Sequence, residues 1–347
     1  MLEVKRGFDK GKINYSNGVF LLATGELVPH GPEHFINTSH EYEYDPEATS
    51  SEVDKFLAET YRGQPEQLRL FKQYSGCVHA TDRSHEMIGL LVGQKRTGKT
   101  TVKDLMAKLA TKQTEIKAKS FSTPFGLQKA VGASLLTTAE LEGCDSEGIA
   151  NAKAISGGEA VDVNRKHLSP IDMVINANLL WQSNKIPELE DTSGAILSRL
   201  LVIQHVHHVA VADRDRELKA RLTEPKNMAY IAKLARDGYH DFLQNGFCKN
   251  PHAENLIQSL EEQIDPMAGF IAERCVLGDY TTPRDVIYNA YQNYVDDIGA
   301  DQKMTKQKFA RTLSVAAAAR VKNGPRQRDG SRRVYTWHGI ILRKDTN

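Results

Sequence analysis

Met87-Ile-Gly-Leu-Leu-Val92 runs directly into Gly93-Gln-Lys-Arg-Thr-Gly98-Lys99-Thr100-Thr101, and residues 102–109 then carry apolar side chains at helical spacing. A short, wholly apolar run bounded by turn residues reads as a buried strand, and the glycines that follow demand a tight backbone curl before a helix starts. The order is strand, phosphate loop, helix, in the pattern GxxxxGK[ST], which arises by chance in roughly 1% of chains this long. In such a loop successive N–H groups turn inward toward phosphate oxygens, beside the positive end of the following helix. Gly93, Thr97, Gly98, Lys99, Thr100 and Thr101 are therefore the candidate ATP-binding residues. Lys99 would supply a mobile charge for the β- and γ-phosphates, and the Thr100 hydroxyl would ligate the Mg²⁺ that bridges them. Lys95 and Arg96 read equally as phosphate contacts or as solvated loop charges.

Outward from the loop, apolar runs at 134–138, 179–182 and 196–203 alternate with helical patterns, an α/β signature that places the loop strand in a sheet. Nucleotide hydrolysis needs a carboxylate at the end of a neighbouring strand, to hold the metal's water shell and polarise the attacking water. The run Leu135-Leu-Thr-Thr-Ala139-Glu140 ends in one. Glu140 is the candidate acid and, with Thr100, a candidate metal ligand. Ala139 stands where an aspartate often precedes such an acid, and Glu142 and Asp145 remain alternatives.

Farther out, the first 45 residues hold short β-type runs at 13–15, 19–22 and 34–38, separated by turn residues. A Ser51-x-x-Asp54 opening predicts a first helix, and residues 65–74 predict a second. The stretch from 253 reads as mostly helical until two β-type runs, 333–337 and 339–342, that follow a basic turn over 322–332. Residues 301–347 hold twelve Lys or Arg against three Asp or Glu, within a chain of net charge +1, so this end should meet something anionic. An apolar share of 40% with 26% charged residues excludes disordered and fibrous classes. Cys77, Cys144, Cys248 and Cys275 form no CxxC pair, which argues against a zinc ribbon or disulfide framework and fits a reducing cytoplasm. No apolar run reaches membrane-spanning length.

Beyond the acid, Ser156-Gly157-Gly158-Glu159-Ala-Val-Asp-Val-Asn164-Arg165-Lys166-His167 resembles the hairpin motif of superfamily 3 helicases, with an Arg-Lys-His tip similar to that of papillomavirus replicative helicases. Asn184 with Pro187, Asp191-Thr-Ser-Gly194 and Ser198-Arg199-Leu200 follow in the order of the sensor and arginine segments of phage and plasmid primase–helicases. Asn17-Gly18-Val19, Thr24-Gly25-Glu26-Leu27, Tyr44-Asp45-Pro46, residues 263–299 and the basic tail extend the resemblance over nearly the whole chain, of the poxvirus and satellite-phage type. No zinc-finger cysteine set and no room for a priming domain accompany it. The expected protein is the helicase portion, alone or within a longer chain, with a primase as candidate partner.

The resemblance implies an α/β fold: a β/helical segment over 1–80, an AAA+-type P-loop ATPase core over 81–250, and a winged-helix domain over 251–347. It implies a homo-hexameric ring with ATP between subunits, Asn184 orienting the attacking water or sensing the γ-phosphate, and Arg199 reaching a neighbour's phosphates. Arg165, Lys166 and His167 would line the channel against single-stranded DNA, and Arg332 and Arg333 would meet duplex origin DNA. The function expected is ATP-dependent unwinding in mobile-element replication. The alternative is a DNA-binding initiator or regulatory ATPase that hydrolyses without processive unwinding. His205-Val-His207-His208 has alternating spacing but no carboxylate or cysteine partner, so a metal site is rejected. Tyr288, Tyr291 and Tyr294 read as packing at helical intervals rather than as base stacking.

Overall fold

In the structure, a computed structural model, residues 11–343 are described except 37, 167, 186, 192–193, 211, 213–214, 252, 255, 258–265, 299–303, 318–319 and 330–331, with backbone alone at 327–329 and 332. Two compact units form, Met1–Asp191 with Ser198–Glu254, and Thr192–Leu197 with Asn255–Asn347.

The first unit is built on five parallel strands. The apolar run before the phosphate loop becomes strand β4 (Ile88–Val92), every residue of it buried. Its neighbours are β10 (Asn178–Ser183), paired Leu179↔Ile88 to Ser183↔Val92, and β12 (Leu200–Gln204), paired Leu200↔Ile88 to Gln204↔Val92. Beyond β10 lie β6 (Leu135–Thr137) and β5 (Gln113–Glu115), giving the order β12-β4-β10-β6-β5. Parallel strands covered on both faces read as continuous apolar runs, which is why 88–92, 179–182 and 200–203 were legible as strands without alternation. Helix α3 (Lys99–Leu109) leaves the loop and buries Val102, Leu105, Met106 and Leu109.

Around this sheet stand three antiparallel strands, β1 (Lys12–Tyr15), β2 (Gly18–Leu21) and β3 (Glu26–Val28), of which β1 and β2 share one core with α1 (Ser51–Thr60), α2 (Pro65–His79), α3 and α6 (Pro225–Asn245). The predicted run at 34–38 forms no strand among its described residues; a turn of 3₁₀ helix at Pro32–His34 precedes it, and the third strand is β3. The N-cap of α1 is Ser50 rather than Ser51: its hydroxyl accepts from Val53 N at 3.2 Å and donates to Asn227 Oδ1 at 2.7 Å, a buried partner Ser51 lacks. Helix α2 continues past the predicted end at 74, because Ser75 and Gly76, which look like breakers, are buried along with Cys77 and Val78. His79 at its end is pinned between the Leu109 carbonyl, 3.0 Å from Nδ1, and the Tyr15 hydroxyl, 2.8 Å from Nε2. A carbonyl only accepts, so Nδ1 carries the proton and Nε2 receives the tyrosine's. Burial pulls this imidazole down to about 4, keeping it neutral.

Helix α4 (Ser146–Gly157) was not foreseen; Asp145 caps it through Gly148 N at 2.8 Å, and Gly158 closes it in the left-handed region. It leads into an antiparallel hairpin of β8 (Ala160–Arg165) and β9 (Leu168–Val174). The predicted strand at 196–203 starts only at Leu200, since Leu197–Arg199 is a 3₁₀ turn. Two short strands, β7 (Gly143–Cys144) and β11 (Glu188–Leu189), pair in parallel, and α5 (Leu218–Leu222) precedes α6.

The second unit, taken by itself, runs α7 (Pro266–Arg274), β13 (Cys275–Pro283), α8 (Arg284–Asp297), α9 (Lys306–Ala316), β14 (Lys322–Asn323), a hairpin of β15 (Gln327–Asp329) with β16 (Arg332–Val334), and β17 (Thr336–Leu342). Its sheet order is β13-β17-β14, antiparallel. Strand β13 interrupts the stretch expected to be mostly helical, and the predicted runs at 333–337 and 339–342 are redrawn: Thr336–Leu342 is one strand, while the basic turn contains a hairpin of its own. Tyr291 and Tyr294 are buried with Phe270 and Phe309, and Tyr288 packs against them, so the tyrosine series is packing.

Candidate active site

Three strand ends converge at the carboxyl edge of the first sheet. From β4 comes the loop Gly93–Gly98, and Gly98, at φ +83°, caps α3 in a conformation that favours glycine. Lys99 is buried against the loop: Nζ donates to Gly93 O and, at 2.6 Å, to Gln94 O, with Thr97 Oγ1 at 3.5 Å. Burial lowers its pKa from the ordinary lysine value, opposed by the nearby Glu140 carboxylate. Thr97 Oγ1 itself donates to Gln94 O at 2.9 Å and so braces the loop.

The strand between loop and acid is β10. Its Gln182 Nε2 lies 3.4 Å from Thr100 Oγ1, and Asn184, just past its end, donates from Nδ2 to Glu140 Oε1. Glu140 is carried by the chain leaving β6, which runs beside the chain leaving β10: Leu141 N donates to Gln182 O at 2.7 Å and Ser183 Oγ to Leu141 O at 2.7 Å. These ties bring Glu140 and Asn184 together over the loop. A cavity of about 350 Å³ is lined by Lys95, Arg96, Gly98, Lys99, Thr100, Thr101, Gln182 and Asn184. A larger one, about 790 Å³, is lined in part by Ala139, Glu140 and Glu142. Asp145 is committed elsewhere, to Gly148 N and to Ser122 Oγ at 2.7 Å, and these bonds hold its carboxyl below the usual range.

The donor set suits a magnesium–nucleotide. With Ala139 in place of a second acid, the chain offers one hydroxyl, Thr100, and one carboxylate, Glu140. Magnesium keeps several waters and takes phosphate oxygens alongside one or two carboxylates, so two protein groups are enough. Among the described residues no group of three or more His, Cys, Asp or Glu is placed to hold a metal by itself. Substituting Glu140→Gln is expected to retain nucleotide binding while hydrolysis falls by about 10²-fold or more, since an amide cannot act as general base. Normal turnover there, with a defect in Glu142→Gln instead, would move the acid to Glu142.

Arg199 lies at the opposite edge. It immediately precedes β12, whose Leu200 pairs with Ile88 at the start of β4. Five strand residues, roughly 16 Å, separate it from its own phosphate loop. Its guanidinium is 25% exposed, donating to Lys153 O at 3.0 Å and Ser156 Oγ at 3.2 Å and lying 3.3 Å from Glu86 Oε2. The tip of the β8–β9 hairpin holds exposed Lys166, while Arg165 folds back to donate to Ser169 O at 3.0 Å; His167 lies outside the described residues. In the second unit, Arg333 is exposed on β16 and stands opposite Arg328 in register; only the backbone of Arg332 is described.

Sequence reasoning missed the role of Gln182, a polar residue next to the end of a largely apolar strand, and that of residues 205–209. Strand β12 ends at Gln204, so the three histidines of that run share no strand face.

Residues 7–62 match the family described as D5 N terminal like, and residues 262–331 match the family described as Poxvirus D5 protein-like. Between them, residues 91–199, which contain the loop, Glu140, the hairpin and Arg199, match a family of unknown function, DUF5906. Among solved structures, the apo NrS-1 C-terminal region shares the fold at 13% identity and a TM-score of 0.56, over 95% of this chain and 82% of that one. Its A form aligns at 11% identity and a TM-score of 0.52, over 86% and 78%.

Proposed function

We propose that the chain, which belongs to the phage/plasmid superfamily 3 primase–helicase family, is an ATP-driven DNA helicase motor of mobile-element replication that works as a ring of identical subunits. The observation that carries the reading is the split of the machinery between two edges of one sheet. The loop, Glu140 and Asn184 meet at one edge, and Arg199 lies at the other, a five-residue strand away from its own loop, so in a ring it would serve a neighbour's nucleotide. Bound Mg–ATP would supply the scissile phosphoanhydride, with Lys99 and Thr100 gripping the phosphates and the metal. Glu140 takes the proton from water, and Asn184, already bonded to that carboxylate, fixes the direction of attack. Arg199 offsets charge that develops as the terminal phosphoryl departs.

Division into a leading segment over 1–80, an AAA+ motor over 81–250 and a winged helix over 251–347 belongs to the same reading. Support for the last part comes from the order helix, strand, two helices, strand, basic hairpin, strand, with β17 central in its sheet. A hexamer, a primase partner and a cytoplasmic setting complete the proposal. No helix among the described residues is long and apolar enough to cross a membrane.

Strand displacement measured beside ATP consumption tests it, since hydrolysis without displaced product selects the initiator alternative. Lys166→Ala/His167→Ala is expected to keep basal hydrolysis, lose stimulation by single-stranded DNA and unwind poorly per ATP, because the hairpin is remote in sequence from the nucleotide groups. A lysine–phosphate contact of this kind weakens with salt and ignores base sequence. Neutralising Arg332 and Arg333 should instead weaken duplex binding. If the tail variant loses coupling while the hairpin variant unwinds normally, the hairpin is not the moving contact.

A further inference from the structure

Strand β12 starts just after Arg199 and ends against the back of the phosphate loop. One residue past its last pair, His205 N donates to Val92 O at 2.7 Å. A Cβ added at Gly93 would fall 2.0 Å from His205 O, so the first loop residue rests directly on this backbone and only glycine fits. The His205 side chain is 1% exposed, with Nδ1 3.3 Å from Thr97 O and the Tyr61 ring centroid 5.4 Å away. Because a carbonyl only accepts, Nδ1 carries the proton. Burial brings the imidazole down to about 3, so the ring is neutral and the tautomer fixed. Four residues on, Val209 N donates to Arg96 O at 2.9 Å, and His207 Nε2 lies 2.7 Å from Arg62 O.

Two consecutive loop carbonyls, those of Arg96 and Thr97, are thus held from behind by residues 205–209. In a planar trans peptide the carbonyl and the next residue's N–H point opposite ways. Holding Arg96 O turns the Thr97 N–H forward, and holding Thr97 O turns the Gly98 N–H forward, toward the side that would receive phosphate. We infer that His205 is a positioning residue for nucleotide binding, which aims the loop's N–H groups through its bond to the Thr97 carbonyl. The inference rests on the ATP reading of the loop and adds to it a residue outside the GxxxxGK[ST] pattern.

The test uses the full chain with His205→Ala, His205→Asn and His205→Gln, and with Lys99→Ala as a control. Fluorescent ADP binding and the KM and kcat for ATP are measured together with melting curves. Asparagine places an amide N–H near the Nδ1 position, whereas glutamine reaches toward Nε2. His205→Ala should weaken ADP binding and raise KM by about tenfold, the effect of one lost hydrogen bond, with kcat changed much less. His205→Asn should return to within about threefold of wild type, and His205→Gln should resemble alanine. If alanine does not fold, the asparagine–glutamine comparison decides, because both fill the site and one restores the bond. Equal KM values in those two, or a wild-type KM in His205→Ala, overturn the inference. Loss of ADP binding in Lys99→Ala beside unchanged binding in His205→Ala would leave the nucleotide reading standing and remove only this one. A wild-type chain that binds no ADP removes both.

Discussion

Lys99→Ala is expected to abolish ATP hydrolysis, by about 10²–10³-fold or more, while the chain remains folded. The side chain makes its contacts inside the loop, to Gly93 O, Gln94 O and Thr97 Oγ1, and it fills no position in the apolar core. Its removal therefore opens no core cavity of the kind that destabilises by several kcal/mol. The ammonium rests on the loop's own carbonyls, whose dipoles solvate a partly desolvated charge. Losing it would take a mobile positive charge away from the developing phosphoryl group. Steady-state phosphate release with a circular dichroism melt checks both halves; wild-type turnover would end the assignment of the loop.

Arg199→Ala should produce a loss of comparable size, about 10³-fold or more, the range for an arginine acting on a transferred phosphoryl group from a neighbouring subunit. The two lesions should differ in mixture. Arg199→Ala and Lys99→Ala chains assembled together create some interfaces with an intact loop on one side and an intact arginine on the other. Hydrolysis above that of either variant alone is the expected result. Mixtures that stay inactive despite demonstrated subunit exchange would place Arg199 among the structural ion pairs, with Glu86 as its partner.

What the sequence made legible follows from what the chain repeats locally. The phosphate loop is a contiguous pattern, and the core strands are short apolar runs, so residues 88–92, 135–137 and 200–203 could be read as strands from a single window each. Order across the sheet is not local. Nothing in residues 178–183 announces that they lie between the loop strand and the acid strand, yet that placement puts Gln182 beside Thr100 and Asn184 beside Glu140. Helix α4 was missed because its alanines, glycines and serines carry little amphipathic contrast; its cap and its docking against neighbouring chain define it instead. Strand β13 was missed for the converse reason, since most of its side chains are at least partly exposed and its pairing with β17 spans some sixty residues of sequence. His205 was weighed only as a metal ligand and set aside, whereas its partner is a backbone carbonyl that no pattern of side chains reveals.

The separation of the phosphate loop from Arg199 by the length of a parallel strand also has a genetic consequence. In the proposed ring each subunit would lend its arginine in one direction and receive one from the other, so contacts would be head to tail and every member would have the same two unlike faces. A chain spoiled at one face would silence a single interface, whereas a chain spoiled at both would silence the interfaces on either side of it. In a cell making normal and doubly defective copies together, the defective copy would be dominant, and its harm would spread to neighbours whose own sequence is intact.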